Sequence, residues 1–344
     1  MKDNLMITEE FTIEQIIERL GLQNHPYRIS FADAMVEEYA DENGKKAFRI
    51  SENGTRELKT MKLKEIQLLV KDWRLSSIVE GLCFLEKKMS ERQVFYDLTG
   101  TPEAAPEKAE LAFFATEKRS RFVLICPGGG YNDVCSIAEG YPLAMELNRL
   151  GYAAFVLHYS TGENAGGSQP QKDAAAALRF ILDHAEDFDI DKEHFAVMGF
   201  SAGGHLAASM AAKNTGFQHY ALPLPDMVFL GYPVITMGEY ANTGSRDRLL
   251  QGAGDPDALK TAFSVEKQVD KDFPPVFVWQ CAEDDCVPIQ NSELLVEALR
   301  KHNVPVRYEV YRGEAHGWGL GTGTEAEGWV ERAVAFWEHT EAEM

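Results

Sequence analysis

The sequence predicts an α/β fold: a mostly parallel eight-stranded sheet with helices on both faces, preceded by a small N-terminal α+β extension. Three observations carry this. From Gln93 onward, short apolar runs alternate with amphipathic stretches, the rhythm of strands connected by crossover helices. In the middle of that region Gly199-Phe200-Ser201-Ala202-Gly203 joins a strand-like run, 194–198, to a helix-like run, 205–210. The first 90 residues lack the alternation altogether.

The extension, residues 1–90, opens with Thr12-Ile13-Glu14-Gln15, a capping-box pattern. It starts a helix that places Ile13, Ile16, Ile17 and Leu20 on one face and stops near Gly21. Glu52-Asn53-Gly54, between two β-compatible runs in 46–60, predicts a hairpin. Two helical stretches follow, at 63–73 and 75–89. In the catalytic-type region, 91–344, strands are expected at 94–98, 110–115, 122–126, 153–159, 195–199, 227–233, 276–281 and 306–311. Helices are expected at 141–150, 171–186, 202–213, 292–302 and 325–339. Residues 234–273 are polar and Gly-containing, with a helix near 257–263, and interrupt the sheet after its sixth strand. A lid or cap would sit there.

At 344 residues the chain can bury a large core. Its formal charge of −20 argues against nucleic acid or an anionic membrane surface as a partner. The first 90 residues carry 14 Lys and Arg against 16 Asp and Glu, so nearly all the excess lies beyond them. No apolar run reaches membrane-span length, and Met1 to Leu5 do not read as a secretory leader, so a cytoplasmic location is expected. The five cysteines (Cys83, Cys126, Cys135, Cys281, Cys286) have no metal-type spacing. Cys281 and Cys286 are near enough in sequence to meet, but free thiols are the reading that fits a reducing compartment.

A serine in a sharp strand-to-helix turn needs nearly side-chainless neighbours two residues away, which Gly199 and Gly203 supply. The helix N-terminus behind it aims backbone N–H groups at developing negative charge. Cys126-Pro127-Gly128-Gly129-Gly130-Tyr131 follows a strand and lets N–H groups approach a ligand closely, as an oxyanion hole requires. The stretch lacks G-x-G-x-x-G and G-K-[ST], which disfavours a nucleotide site. Glu283-Asp284-Asp285, with Val287-Pro288 beyond, ends a strand and offers a carboxylate able to orient a histidine. Gly313-Glu314-Ala315-His316-Gly317-Trp318-Gly319 carries that histidine in the loop after the last strand. The order Ser201, Asp284, His316 is that of a nucleophile-elbow hydrolase.

On these motifs the chain resembles the α/β-hydrolase superfamily over roughly 93–339, and within it the small esterases related to acetyl-xylan and feruloyl esterases. The matching residues are Pro127 to Tyr131, Ser136 with Glu139-Gly140, Gly199 to His205, Asp284 four residues before Pro288, and His316 followed by Gly317. The resemblance selects Asp284 over Asp285 as the acid. It departs where the family often has Tyr-Arg and this chain has Tyr159-Ser160, and it gives no guide to the extension.

The chemistry expected is serine ester hydrolysis. His316 deprotonates Ser201, Asp284 orients His316, and the N–H groups of Ala202, Gly129 and Gly130 bind the oxyanion. A histidine base must be neutral to act, so activity should fall as acid protonates it. Tyr131 and Trp318 are expected in the pocket wall. No metal or organic cofactor is implied. A short-chain acyl or aryl ester, on a small molecule or an oligosaccharide, is the expected substrate. Prolyl-oligopeptidase-like or formamidase-like amide hydrolysis and a non-catalytic binding role are the alternatives. The extension has three available roles: covering the site, joining two copies in a homo-oligomer, or capping the sheet.

Overall fold

In the computed structural model, which describes residues 6–40, 45–105, 109–252 and 256–343, eight strands form one sheet. The leader reading rested on residues 1–5, which lie outside these. Three strands belong to the extension: β1 (Met35–Ala40), β2 (Lys46–Ile50) and β3 (Arg56–Glu57). The large sheet comprises β4 (Phe95–Asp97), β5 (Glu110–Phe114), β6 (Ser120–Cys126), β7 (Ala153–His158), β8 (Ile190–Phe200), β9 (Met227–Gly231), β10 (Val276–Cys281) and β11 (Val306–Tyr311). Their spatial order is β11-β10-β9-β8-β6-β7-β5-β4. β4 pairs antiparallel with β5, and β5 antiparallel with β7; every other pairing is parallel.

This order places the site. From β6 the chain moves to β7 on one side, then returns to lay β8 on the other side. The reversal lies between β6 and β8, and a crevice opens beyond the carboxyl ends of strands at such a point. The glycine loop follows β6 and Ser201 follows β8, so both are delivered to the same crevice.

Strands β7, β9 and β10 and the last six residues of β8 are buried on both faces, as a parallel sheet under two helical layers requires. Along β8, Phe195 and Val197 pack into one apolar layer, while Ala196, Met198 and Phe200 pack into the other. The second layer is continuous with the extension, since Ile13, Ile16, Val36, Phe48, Leu58 and Leu82 join Val123, Ile125, Trp279 and Trp329. The change of character near residue 90 is therefore a change of architecture, not a break in the core. Arg28 of the extension pairs with the buried Glu110 of β5, through Nε at 2.7 Å, and its guanidinium lies 3.9 Å from the centroid of Phe95.

Two expectations in the extension are corrected. The runs flanking Asn53-Gly54 do not form a hairpin with each other; β2 and β3 each pair with β1, on opposite sides. Gly54 is there for close approach, because a Cβ on it would lie 2.5 Å from the backbone nitrogen of Val36. The stretch 63–73 is helical only at Leu63–Ile66, whereas the next helix runs Leu75–Glu91. The capped helix is as expected, Ile13–Leu20, with both capping-box bonds made and Gly21 left-handed.

Residues 234–273 contain helices Thr243–Leu249 and Pro256–Phe263. The segment is anchored by Leu249, Phe263, Val265, Val269 and Phe273 in the core. The Asn291 carboxamide oxygen also accepts from the N–H groups of Ile235 and Thr236 at 2.9 and 3.1 Å.

Candidate active site

Ser201 stands at φ 51°, a left-handed conformation that a β-carbon disfavours, at the junction of β8 and the helix Ser201–Ala211. The flanking glycines are required by contact. A Cβ on Gly203 would sit 2.1 Å from the carbonyl oxygen of Cys126, and one on Gly199 would sit 2.2 Å from that of Gly203. The helix is thereby pressed against both β8 and the end of β6.

His316 Nε2 lies 2.9 Å from Ser201 Oγ. Its Nδ1 lies 2.8 and 3.1 Å from the two carboxylate oxygens of Asp284, whose side chain is wholly buried. A carboxylate only accepts, so Nδ1 carries the proton and Nε2 is free to accept from the serine hydroxyl. The Asp284 carboxylate also accepts from the N–H groups of Cys286 and Val287, both at 2.9 Å, and from Gln280 Nε2 at 3.2 Å. Asp285 points elsewhere, to Lys71 at 2.9 Å on the surface. Of the two neighbouring carboxylates, only Asp284 meets the histidine.

The glycine loop bends over the serine. Gly129, Gly130 and Tyr131 have φ of 127°, 65° and 56° in succession. A side chain at Gly128 would collide with Phe200 O and Ser201 Cβ, and one at Gly129 would lie 2.1 Å from Asp133 O. Ala202 occupies the first turn of its helix, where N–H groups have no intrahelical acceptor.

Several supporting residues went unassigned in the sequence. The Glu139 carboxylate, buried, accepts from the Gly128 N–H at 2.7 Å and from the Tyr232 hydroxyl at 2.8 Å. The Tyr232 oxygen in turn accepts from the Gly319 N–H at 3.0 Å, and its ring lies 4.7 Å from the His316 imidazole. Burial pushes the Glu139 carboxyl above its ordinary value, opposed by the hydrogen bonds from the Tyr232 hydroxyl and the Gly128 amide. Tyr159 donates to Pro127 O at 2.6 Å. The only sequence signal was the Glu139-Gly140 pair; nothing marked Tyr232.

The expectation for Tyr131 as a pocket wall is corrected. Tyr131 has no exposed surface, and its hydroxyl donates to His205 Nδ1 at 2.7 Å. Trp318 keeps 9% of its surface exposed, as much as Ser201, with its ring 6.4 Å from that of Trp279 and the Arg74 guanidinium 5.5 Å from its centroid. All five cysteines are free thiols.

The BD-FAE family matches residues 114–299, more than half of the chain. The chain belongs to the BD-FAE family. This family member is 39% identical over 216 residues to endo-1,4-beta-xylanase B of Butyrivibrio fibrisolvens, covering 60% of the chain and 34% of that protein. It is 30% identical over 221 residues to an acetylxylan esterase of Xylanibacter ruminicola, covering 62% of the chain and 45% of that protein. The matches thus span less than half of either curated relative. The acetyl ester-xyloside bifunctional hydrolase of Caldicellulosiruptor lactoaceticus superposes with a TM-score of 0.60 at 31% identity, over 72% of this chain and 92% of that one. The carboxylesterase Cest-2923 of Lactobacillus plantarum, at 23% identity and a TM-score of 0.60, shares the fold. The chain is an α/β-hydrolase of the xylan-esterase-like kind. Among the described residues, no helix is long and apolar enough to cross a membrane.

Proposed function

We infer that this BD-FAE member hydrolyses short-chain acyl esters, acetyl-type or aryl, carried on sugars or small alcohols, through Ser201, His316 and Asp284. The observation that carries the reading is the unbroken hydrogen-bond line from Ser201 Oγ through His316 to the buried Asp284, with the glycine loop against the serine. The names of two relatives, an acetylxylan esterase and an acetyl ester-xyloside hydrolase, support an acetylated sugar as the substrate class. The five free thiols support a reducing compartment.

As Ser201 Oγ attacks the ester carbonyl, its proton passes to His316 Nε2 and the carbonyl oxygen becomes an oxyanion. Asp284 offsets the resulting imidazolium and fixes its orientation. The N–H groups of Ala202, Gly129 and Gly130 receive the oxyanion, each such donor being worth about 3 to 4 kcal/mol of barrier. Collapse breaks the bond to the alcohol oxygen, which takes the proton from Nε2 as it leaves. Water then gives a proton to Nε2 and attacks the acyl-serine; expulsion of Oγ, reprotonated by His316, releases the acid.

The test is turnover of p-nitrophenyl acetate and of acetylated xylo-oligosaccharides by the wild type and Ser201→Ala. The substitution should lower kcat by about 10⁴-fold or more on both. Near-wild-type turnover in the variant contradicts the reading, and wild-type activity on peptidyl amides alone transfers it to amide hydrolysis.

A further inference from the structure

The extension meets the histidine loop in register. The backbone N–H of His316 donates to Asp72 Oδ2 at 3.2 Å. The next residue, Gly317, at φ 97°, leaves its α-carbon bare against the indole of Trp73; a Cβ there would lie 3.2 Å from the ring. The Arg74 guanidinium lies 5.5 Å from the centroid of Trp318, and Ser77 Oγ donates to Thr322 Oγ1 at 2.9 Å. Residues 72, 73, 74 and 77 thus meet 316, 317, 318 and 322 in sequence order. Lys71 adds its pair with Asp285, an exposed contact of little energetic weight.

The same extension also touches the glycine loop. The Phe31 N–H donates to the half-buried Asp133 carboxylate, and Ser30 Oγ accepts from the Ile137 N–H at 3.3 Å. Both sides of the histidine contact lie outside the stretch 114–299 that defines the family match.

We propose that the extension is a working part of the active site, with Asp72 as a positioning residue that holds the His316 backbone at the height where Nε2 faces Ser201 Oγ. This rests on the serine-triad reading above. The physical reason is local. The loop carrying His316 has left-handed glycines at 313, 317, 319 and 321. Glycine-rich backbone resists displacement weakly. The Nδ1 bond to Asp284 leaves the main chain free to pivot around it. An acceptor on the main-chain N–H of the same residue removes that freedom. A misplacement of about 1 Å in a catalytic group costs as much as 10²-fold in rate.

The variants Asp72→Ala and Asp72→Asn separate positioning from plain structural support, because an asparagine carboxamide oxygen still accepts from the His316 N–H. On p-nitrophenyl acetate, Asp72→Ala should lower kcat about tenfold with KM within about twofold, and Asp72→Asn should restore most of the loss. The rate of Ser201 labelling by a fluorophosphonate should fall in parallel in Asp72→Ala, with the melting temperature close to wild type. Unchanged kcat and labelling in Asp72→Ala overturn the proposal. So does a loss that tracks the melting temperature and is not restored by asparagine. A wild-type protein that is not labelled at Ser201 overturns the triad reading, and this proposal with it; normal wild-type labelling with no effect of Asp72→Ala overturns this proposal alone.

Discussion

At the scale of single residues, Asp284 and Asp285 are chemically identical neighbours separated by environment. Asp284 is sealed from water, accepts from two backbone N–H groups and Gln280, and meets the imidazole. Asp285 holds a surface lysine. Asp284→Asn should therefore lower kcat by about 10³- to 10⁴-fold, since an amide favours the wrong imidazole tautomer. Asp285→Asn should stay within about threefold, as expected for one exposed ion pair. A larger loss in Asp285→Asn than in Asp284→Asn reverses the assignment. The meeting of Ser201, Asp284 and His316 was legible because a glycine-flanked strand-to-helix turn, an acidic strand-end loop and a glycine-flanked histidine each leave a local mark in the sequence. Tyr131 was misread because an aromatic beside a glycine loop serves equally as wall or support, and spacing does not tell which side of the loop it faces. Tyr232 was invisible because its role exists only through two partners, Glu139 and Gly319, 93 and 87 residues away in the chain.

At the scale of elements, three loops that end different strands are tied into one unit by Tyr232 and Glu139. Tyr232→Phe removes the hydroxyl that bridges the Glu139 carboxylate to the Gly319 N–H, leaving a buried carboxylate oxygen short of a donor. It should cost about 1 to 3 kcal/mol of stability and lower kcat, measured by urea unfolding and ester turnover. Unchanged stability and turnover would show that the loops are set without it. Gly203→Ala tests the other junction, because its Cβ would sit 2.1 and 2.2 Å from the carbonyl oxygens of Cys126 and Pro127. Backbone offers no flexible end to give way, so the substitution should cost about 3 kcal/mol in the same unfolding measurement. A wild-type unfolding curve for this variant contradicts the packing argument. The central strands of the large sheet were legible because buried parallel strands write themselves as short apolar runs. The Asn53-Gly54 hairpin failed because the local turn signal says nothing of β1, an earlier strand that takes both β2 and β3 as partners. The stretch beyond Ile66 has helical composition, but tertiary contacts win: Asp72 and Trp73 turn toward the histidine loop.

At the scale of the whole molecule, buried polar groups link stability to pH. His205, with no exposed surface, donates through Nε2 to Phe263 O at 2.7 Å and accepts from Tyr131 through Nδ1. Burial holds it down to about 4, and His158 is held down to about 3. Both are neutral in the fold, whereas an unfolded histidine takes up a proton below about 6.5. Their contribution is complete above that value and declines as the pH falls toward 4, because the unfolded chain then binds the extra protons. Asp133, pushed up to about 6 by burial, works in the opposite sense, so the test must isolate one group. Between pH 7 and 5, the stability advantage of the wild type over His205→Gln should shrink by about 2 kcal/mol in urea unfolding. A constant advantage would mean that His205 takes up its proton as readily in the fold as in the unfolded chain. The continuity of the extension's core with one face of the sheet was not legible either, because two apolar faces in a sequence do not announce that they meet.

The central claim is that acyl transfer passes through Ser201, and its most direct test is to catch the intermediate. Acid-quenched reaction of the enzyme with p-nitrophenyl acetate, followed by peptide mass spectrometry, should find one acetyl group on the peptide containing Ser201 and none in Ser201→Ala. An acetyl group on another residue, or undiminished turnover in Ser201→Ala, would contradict the account.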